Sequence, residues 1–272
     1  MTYQEIPIQV RGSAEDAKLV VYLLDTPEES VKVEKRPVLI LCPGGAYERT
    51  SFREGEPLAM YYLNQGYHVG ILRYTTQPAR FPTALLELGT AMKIFREHAR
   101  EWCVDRENIF VQGSSAGGHL AGCLGVFWNQ KFLADELDAE AEQLRPKGLV
   151  LSYPVISSDD AIIEERSFRA LLGDAYDMRK EELSLEHNVN KDTPPCFIWH
   201  TYEDATVPVE NSLVFAMALK KYHVPMELHI FQKGMHGLGP ATHLVERPDG
   251  SGVQKECQCW MELADIWMKN LM

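Results

Sequence analysis

The chain lacks several features that would send it to other classes of protein. It has no uninterrupted apolar run approaching the ~18 residues that a membrane span needs. Its opening residues, MTYQEIPIQVRGSAEDAKLV, hold neither a basic n-region nor an apolar h-region. No secretory signal is expected from them, and a cytoplasmic location is. Positive charge is scarce: 27 Lys and Arg stand against 39 Asp and Glu, a formal net charge of -12. Such a surface repels phosphate backbones, so nucleic acid is not an expected partner. Anionic substrates are mildly disfavoured too, unless a local basic pocket overrides the average. The six cysteines are scattered, and Cys257-x-Cys259 has neither zinc-knuckle spacing nor a histidine close by. Reduced cysteines are expected, with no metal and no organic cofactor. Internal repeats, low-complexity tracts and interdomain linkers are missing, so residues 1–272 are read as one domain.

What is present is enough apolar residue, 45% of 272, to fill a core. EIPIQV and AKLVVYLL read as two strands of a hairpin-like start. RPVLILCPGG is a continuous apolar run stopped by Pro and Gly, the pattern of a strand buried on both faces. YHVGILRY, ENIFVQG, KGLVLSYPV, PPCFIWHT and PMELHIF continue the series. Between them lie helical stretches: GEPLAMYYLNQGY, TALLELGTAMKIFREHAREW, SAGGHLAGCLGVFW and VENSLVFAMALKKYH, with VQKECQCWMELADIWMKNLM at the end. NQKFLADELDAEAEQLRPKG is acidic and reads as a loop or short helix. This alternation predicts an α/β fold, a mostly parallel sheet of about eight strands with helices on both faces. Residues 156–193 hold no clear strand and are expected to form a small lid insertion over the sheet's carboxyl end.

FVQGSSAGGHLAG, residues 110–122, sets two serines between glycines. Only Ser115 fills the centre of Gly113-x-Ser115-x-Gly117. At a strand-to-helix turn this G-x-S-x-G pattern is a nucleophile elbow, which lifts one hydroxyl out of the sheet. Ser114 points the other way. A serine needs a base, and the base an orienting acid, in the chain order Ser, acid, His. Asp204, just past the strand FIWHT, is the expected acid, with Glu203 the alternative. His236, among the glycines after the last strand, is the expected base, with His243 its rival. The glycine turn after RPVLILC offers backbone donors at Gly45 and Ala46, which join the Ala116 N–H in an oxyanion hole.

On CPGGAY, FREGEPLAMYYLNQGYHVGILRY, GSSAGGHLAG, SYPV, PPCFIWHTYEDATVPVENS and ELHIFQKGMHGLG, the chain resembles the α/β-hydrolase superfamily. Within it, the likeness is to small microbial esterases of the acetyl-xylan/feruloyl esterase-like, hormone-sensitive-lipase-like group. It runs from about Arg36 to Gly239. It implies Ser115, Asp204 and His236 at the catalytic positions and Gly45, Ala46 and Ala116 at the oxyanion positions. Pro43 departs from the His of hormone-sensitive-lipase relatives, and Ala46 from their third glycine. The expected activity is that of a serine carboxylesterase on a small-molecule ester, short-chain or acetyl, with acetylated sugars among the candidates. Tyr47, Tyr74 and Phe81 are expected at the pocket mouth. A homodimer is compatible with this reading. A small peptidase of prolyl-oligopeptidase type and a non-catalytic hydrolase-fold binding protein are the alternatives.

Overall fold

A computed structural model describes residues 1–25 and 35–272. In chain order the strands are β1 Thr2–Pro7, β2 Lys18–Leu23, β3 Arg36–Cys42, β4 His68–Arg73, β5 Val104–Ser114, β6 Leu149–Ser152, β7 Cys196–Thr201 and β8 Met226–Phe231. They form one eight-stranded sheet in the order β1-β2-β4-β3-β5-β6-β7-β8. β1 pairs antiparallel with β2 and β2 with β4; every other pairing is parallel. The α/β architecture expected from the alternation is therefore the one found.

The helices are α1 Glu56–Asn64, α2 Thr83–Glu97, α3 Ala116–Phe127, α4 Lys131–Leu137, α5 Glu165–Leu172, α6 Tyr176–Arg179, α7 Leu185–Asn188, α8 Glu210–Lys221 and α9 Trp260–Leu271. The pleat of β3 explains why its run is unbroken. Val38, Ile40 and Cys42 face a core built with α2, α3 and α8, whereas Leu39 and Leu41 face a second core built with α1 and α9. A strand covered on both faces has no polar side, so period-2 alternation vanishes. Among the described residues, no helix is long and apolar enough to cross a membrane.

Two elements differ from the sequence reading. β5 begins at Val104 rather than near Glu107. Arg36 of β3 pairs with Val104, and Val38 with Ile109, so residues 105–108 bulge out of the ladder. Asp105 closes that bulge, accepting from Asn108 Nδ2 at 2.8 Å and from the Glu107 N–H at 3.2 Å. The segment 156–193 holds no strand, as expected, but it is helical. In α5, Phe168, Leu171 and Leu172 are buried in the first core while Arg166 and Arg169 face outward. Asn211 of α8 ties the segment's start, its Oδ1 accepting from the Ile156 and Ser157 N–H groups at 2.9 Å each.

All six cysteines are free. Cys42, Cys123, Cys196 and Cys257 are buried, Cys103 is half-buried and Cys259 is exposed. Burial pushes the thiols of Cys42, Cys123 and Cys196 well above the ordinary range.

Candidate active site

The parallel strands end together, so the loops after β3, β5, β6, β7 and β8 gather along one edge of the sheet, where α/β proteins build their sites. Ser115 joins β5 to α3 at φ 55°, ψ -121°, a region an L-residue rarely enters. Its neighbours must be glycine. A Cβ on Gly113 would lie 2.1 Å from the Gly117 carbonyl oxygen, and one on Gly117 2.0 Å from the Cys42 oxygen. The turn is pinned by the Ser115 N–H, which donates to the Ser152 carbonyl at 3.0 Å, and by the Val155 N–H, which donates to the Ser115 carbonyl at 3.1 Å. Ser114 is fully buried, its Oγ accepting from Gln112 Nε2 at 2.9 Å.

Ser115 Oγ lies 2.8 Å from His236 Nε2, and His236 Nδ1 lies 2.7 Å from Asp204 Oδ2. The three residues are drawn from the loops after β5, β7 and β8. The Tyr153 ring meets the His236 ring edge-on, with centroids 5.1 Å apart. Asp204 Oδ1 accepts from the N–H groups of Thr206 and Val207 at 2.9 and 3.0 Å. Buried His200 sits 3.4 Å from its Oδ2. Burial alone raises the Asp204 pKa. Hydrogen bonds from His200 and His236, then the His236 charge and the Val207 N–H, outweigh it and hold the carboxyl well below its ordinary range. His200 keeps a fixed orientation because its Nε2 donates to the Val207 carbonyl at 3.0 Å, which leaves Nδ1 to accept from Ser212 at 2.8 Å. Glu203 is exposed and lines the cleft, and among the described residues its carboxylate makes neither a hydrogen bond nor an ion pair with His236. His243 is exposed on a 3-10 turn, His243–Val245, and is not among the cleft's lining residues.

Gly45 and Ala46 follow β3 with φ 131° and 58° and share the cleft with Ser115. Among the described residues, the N–H groups of Gly45, Ala46 and Ala116 have no acceptor. The Gly44 N–H is not free: it donates to Glu54 Oε2 at 2.7 Å. Glu54 is buried, and its Oε1 accepts from the Tyr153 hydroxyl at 2.7 Å. That hydroxyl in turn accepts from the Gly239 N–H at 2.8 Å. One carboxylate thus ties the turn after β3 to the loop that carries His236. Sequence reasoning missed both residues. They lie in FREGEP and SYPV, where nothing local distinguishes a buried Glu from a solvated one.

The cleft around Ser115 has a volume of about 380 Å³, and six charged side chains, Arg49, Arg53, Arg166, Glu164, Glu203 and Arg247, are among its lining residues. The three aromatic residues expected at its mouth do not line it. Tyr47 and Tyr74 are buried and packed edge-on, with centroids 5.9 Å apart. Their hydroxyls are used inside the fold, Tyr47 bonding His119 Nδ1 at 2.9 Å and Tyr74 donating to the Pro43 carbonyl at 2.7 Å. The left-handed backbone at Tyr47, φ 56°, turns its ring inward. Phe81 lies instead in a separate groove of about 700 Å³ with Phe127, Phe132 and Arg179.

The family model described as BD-FAE matches residues 24–219. Endo-1,4-beta-xylanase B of Butyrivibrio fibrisolvens is 37% identical over 217 residues, covering 76% of this chain and 33% of that protein. Acetylxylan esterase of Xylanibacter ruminicola is 25% identical over 232 residues, 83% of this chain and 44% of that protein. The chain thus spans less than half the length of these two relatives. Among solved structures, the acetyl ester-xyloside bifunctional hydrolase of Caldicellulosiruptor lactoaceticus superimposes with a TM-score of 0.81 at 36% identity, covering 98% of this chain and 92% of that one. The carboxylesterase Cest-2923 of Lactobacillus plantarum WCFS1 superimposes with a TM-score of 0.86 at 26% identity, covering 99% and 98%. On this matched span, and with this sheet order, the chain belongs to the BD-FAE family and carries the α/β-hydrolase fold of carboxylic ester hydrolases.

Proposed function

We propose that the protein is a serine carboxylesterase acting on short-chain or acetyl esters, acetylated sugars among them, through a covalent acyl-enzyme. The observation that carries this reading is the unbroken relay from Ser115 Oγ through His236 to Asp204 at 2.8 and 2.7 Å. Ser115 Oγ attacks the ester carbonyl while its proton passes to His236 Nε2. Asp204 holds the proton on Nδ1, which keeps Nε2 free to accept. Negative charge then develops on the carbonyl oxygen, where the N–H groups of Gly45, Ala46 and Ala116 receive it. Collapse breaks the ester C–O bond, and the leaving alkoxide takes the proton from His236. Water, giving its proton to the same nitrogen, attacks the acyl-serine, and collapse releases the carboxylic acid and the serine.

A short acyl group fits a cleft of about 380 Å³ with charged walls. Each added methylene is worth about 0.8 kcal/mol only when it is buried against apolar atoms. The acetylxylan esterase and acetyl ester hydrolase among the relatives support an acetyl ester. Ser115→Ala is expected to abolish labelling by a fluorophosphonate probe and to lower kcat by a factor on the order of 10⁴ to 10⁶, with Ser114→Ala still labelled and active. An active, labelled Ser115→Ala protein would end the proposal. Across p-nitrophenyl esters, kcat/KM is expected to peak between acetate and butyrate and to fall at least about tenfold by octanoate. A maximum at octanoate or beyond would replace the small acyl pocket with a lipase-like groove.

A further inference from the structure

We propose that the cleft selects esters whose alcohol part carries a carboxylate, bound by Arg53 together with Arg247 and Arg49; this rests on the ester-hydrolase reading and narrows its substrate class. The chain is acidic overall, at -12, yet the cleft wall carries Arg49, Arg53, Arg166 and Arg247. Elsewhere the guanidinium groups are largely paired, as Arg73 is with Glu56, Arg169 with Glu165 and Arg179 with Glu182. In the cleft, Arg166 pairs with Glu48. The side chains of Arg49, Arg53 and Arg247 have neither an ion-pair nor a hydrogen-bond partner among the described residues. The acids beside them are partly spent. Glu54 is held by Gly44 and Tyr153, and Glu164 caps α5 by accepting from the Ser167 N–H at 2.9 Å.

Arg53 is the most telling of the three, because its Nε is buried without an acceptor. Leaving a buried donor of a charged group unpaired is costly, and each such atom calls for a partner, which a ligand anion in the cleft would supply here. Its guanidinium lies against Gly237, 3.5 Å from where a Cβ on that residue would stand, so it flanks His236. In the proposed mechanism His236 returns its proton to the leaving oxygen. The groups beyond that oxygen, the alcohol part, therefore extend toward Arg53. A planar carboxylate matches the guanidinium fork with two parallel hydrogen bonds. A monoanion is also repelled less than a dianion by the negative field of the whole molecule.

The test compares 3- and 4-acetoxybenzoate with the corresponding acetoxybenzamides, which share the acyl group and differ in leaving-group charge. Each kcat/KM is normalised to hydroxide-catalysed hydrolysis. The wild-type benzoate-to-benzamide ratio is expected to exceed one and to collapse toward one in 1 M NaCl, where the Debye length is ~3 Å. Arg53→Gln and Arg247→Gln are each expected to lower the ratio about tenfold. Lys131→Gln, on a distant exposed ion pair, leaves it unchanged. A ratio at or below one, or one untouched by both arginine variants, overturns the proposal. Binding of 4-hydroxybenzoate and 4-hydroxybenzamide to Ser115→Ala, followed by NMR titration, reads the same preference without turnover. Tighter benzoate binding with neither ester hydrolysed would sustain the arginine site and sink the esterase reading. Equal binding overturns the arginine site.

Discussion

At Ser115 the site stores strain. A backbone at φ 55°, ψ -121° costs an L-residue about 1–3 kcal/mol, which glycine largely avoids. Ser115→Gly and Ser115→Ala both remove the hydroxyl, but only the first relaxes the turn. Ser115→Gly is therefore expected to be more stable than Ser115→Ala by about 1 kcal/mol in urea unfolding. Equal midpoints would show that the elbow is not strained. Glu54 presents the converse case, a buried residue with both oxygens engaged. In Glu54→Gln the amide oxygen can keep the Gly44 N–H only if the amide nitrogen turns to the Tyr153 oxygen, which reverses that bond and leaves the buried hydroxyl proton without its acceptor, at a cost of about 1–3 kcal/mol. Because Glu54 holds the turn that presents Gly45 and Ala46, kcat should fall about 10- to 100-fold with KM for a neutral ester little changed. Full retention of kcat with a lowered melting temperature would make Glu54 purely structural.

Between elements, two buried histidines act as ties that depend on being neutral. His119 of α3 bonds the Leu183 carbonyl in the 156–193 segment through Nε2 at 2.9 Å, and Tyr47 through Nδ1 at 2.9 Å. His68 of β4 bonds the Trp102 carbonyl at 2.8 Å and accepts from the Leu24 N–H at 3.1 Å. Burial pulls both to about 4, against smaller opposing effects from their backbone carbonyl partners. The unfolded chain takes up these protons near pH 6.5 and the folded one only near pH 4, so stability rises with pH across that window. It is fully present above pH 6.5 and falls by about 3 kcal/mol per histidine on acidification to pH 4. His119→Gln should flatten the slope of unfolding free energy against pH by as much as one proton, and an unchanged slope would refute the assignment. Much at this scale was legible in the sequence. The buried strands read as continuous apolar runs, and Gly113, Ser115 and Gly117 marked the elbow because sterics leave no other residues possible there. The helices α5 to α7 were not legible, since their short apolar faces are diluted by Asp, Glu, Lys and Arg. Nor was the arginine-lined wall, whose members come from three distant segments that only the sheet order brings together.

For the whole molecule, the sheet order sets what each end of the fold must do. The loops that build the cleft leave the same edge of the sheet, with Arg166 of α5 added to its wall, while the buried strands and the helices packed on both faces hold the fold together. The cysteines sample that stable part: Cys42 ends β3, Cys123 lies in α3, Cys196 begins β7 and Cys257 precedes α9. A neutral thiol reagent should modify Cys259 quickly and Cys103 slowly, leaving four thiols unreacted in the native protein. Fast modification of more than two would contradict the packing. These four silent groups make the protein its own gauge of opening. In dilute denaturant, the labelling rate at each converts into a local opening free energy, read at four points without adding a probe. If the four rates rise together, both helical layers and the sheet unfold as one cooperative unit; if Cys257 runs ahead, α9 peels away first.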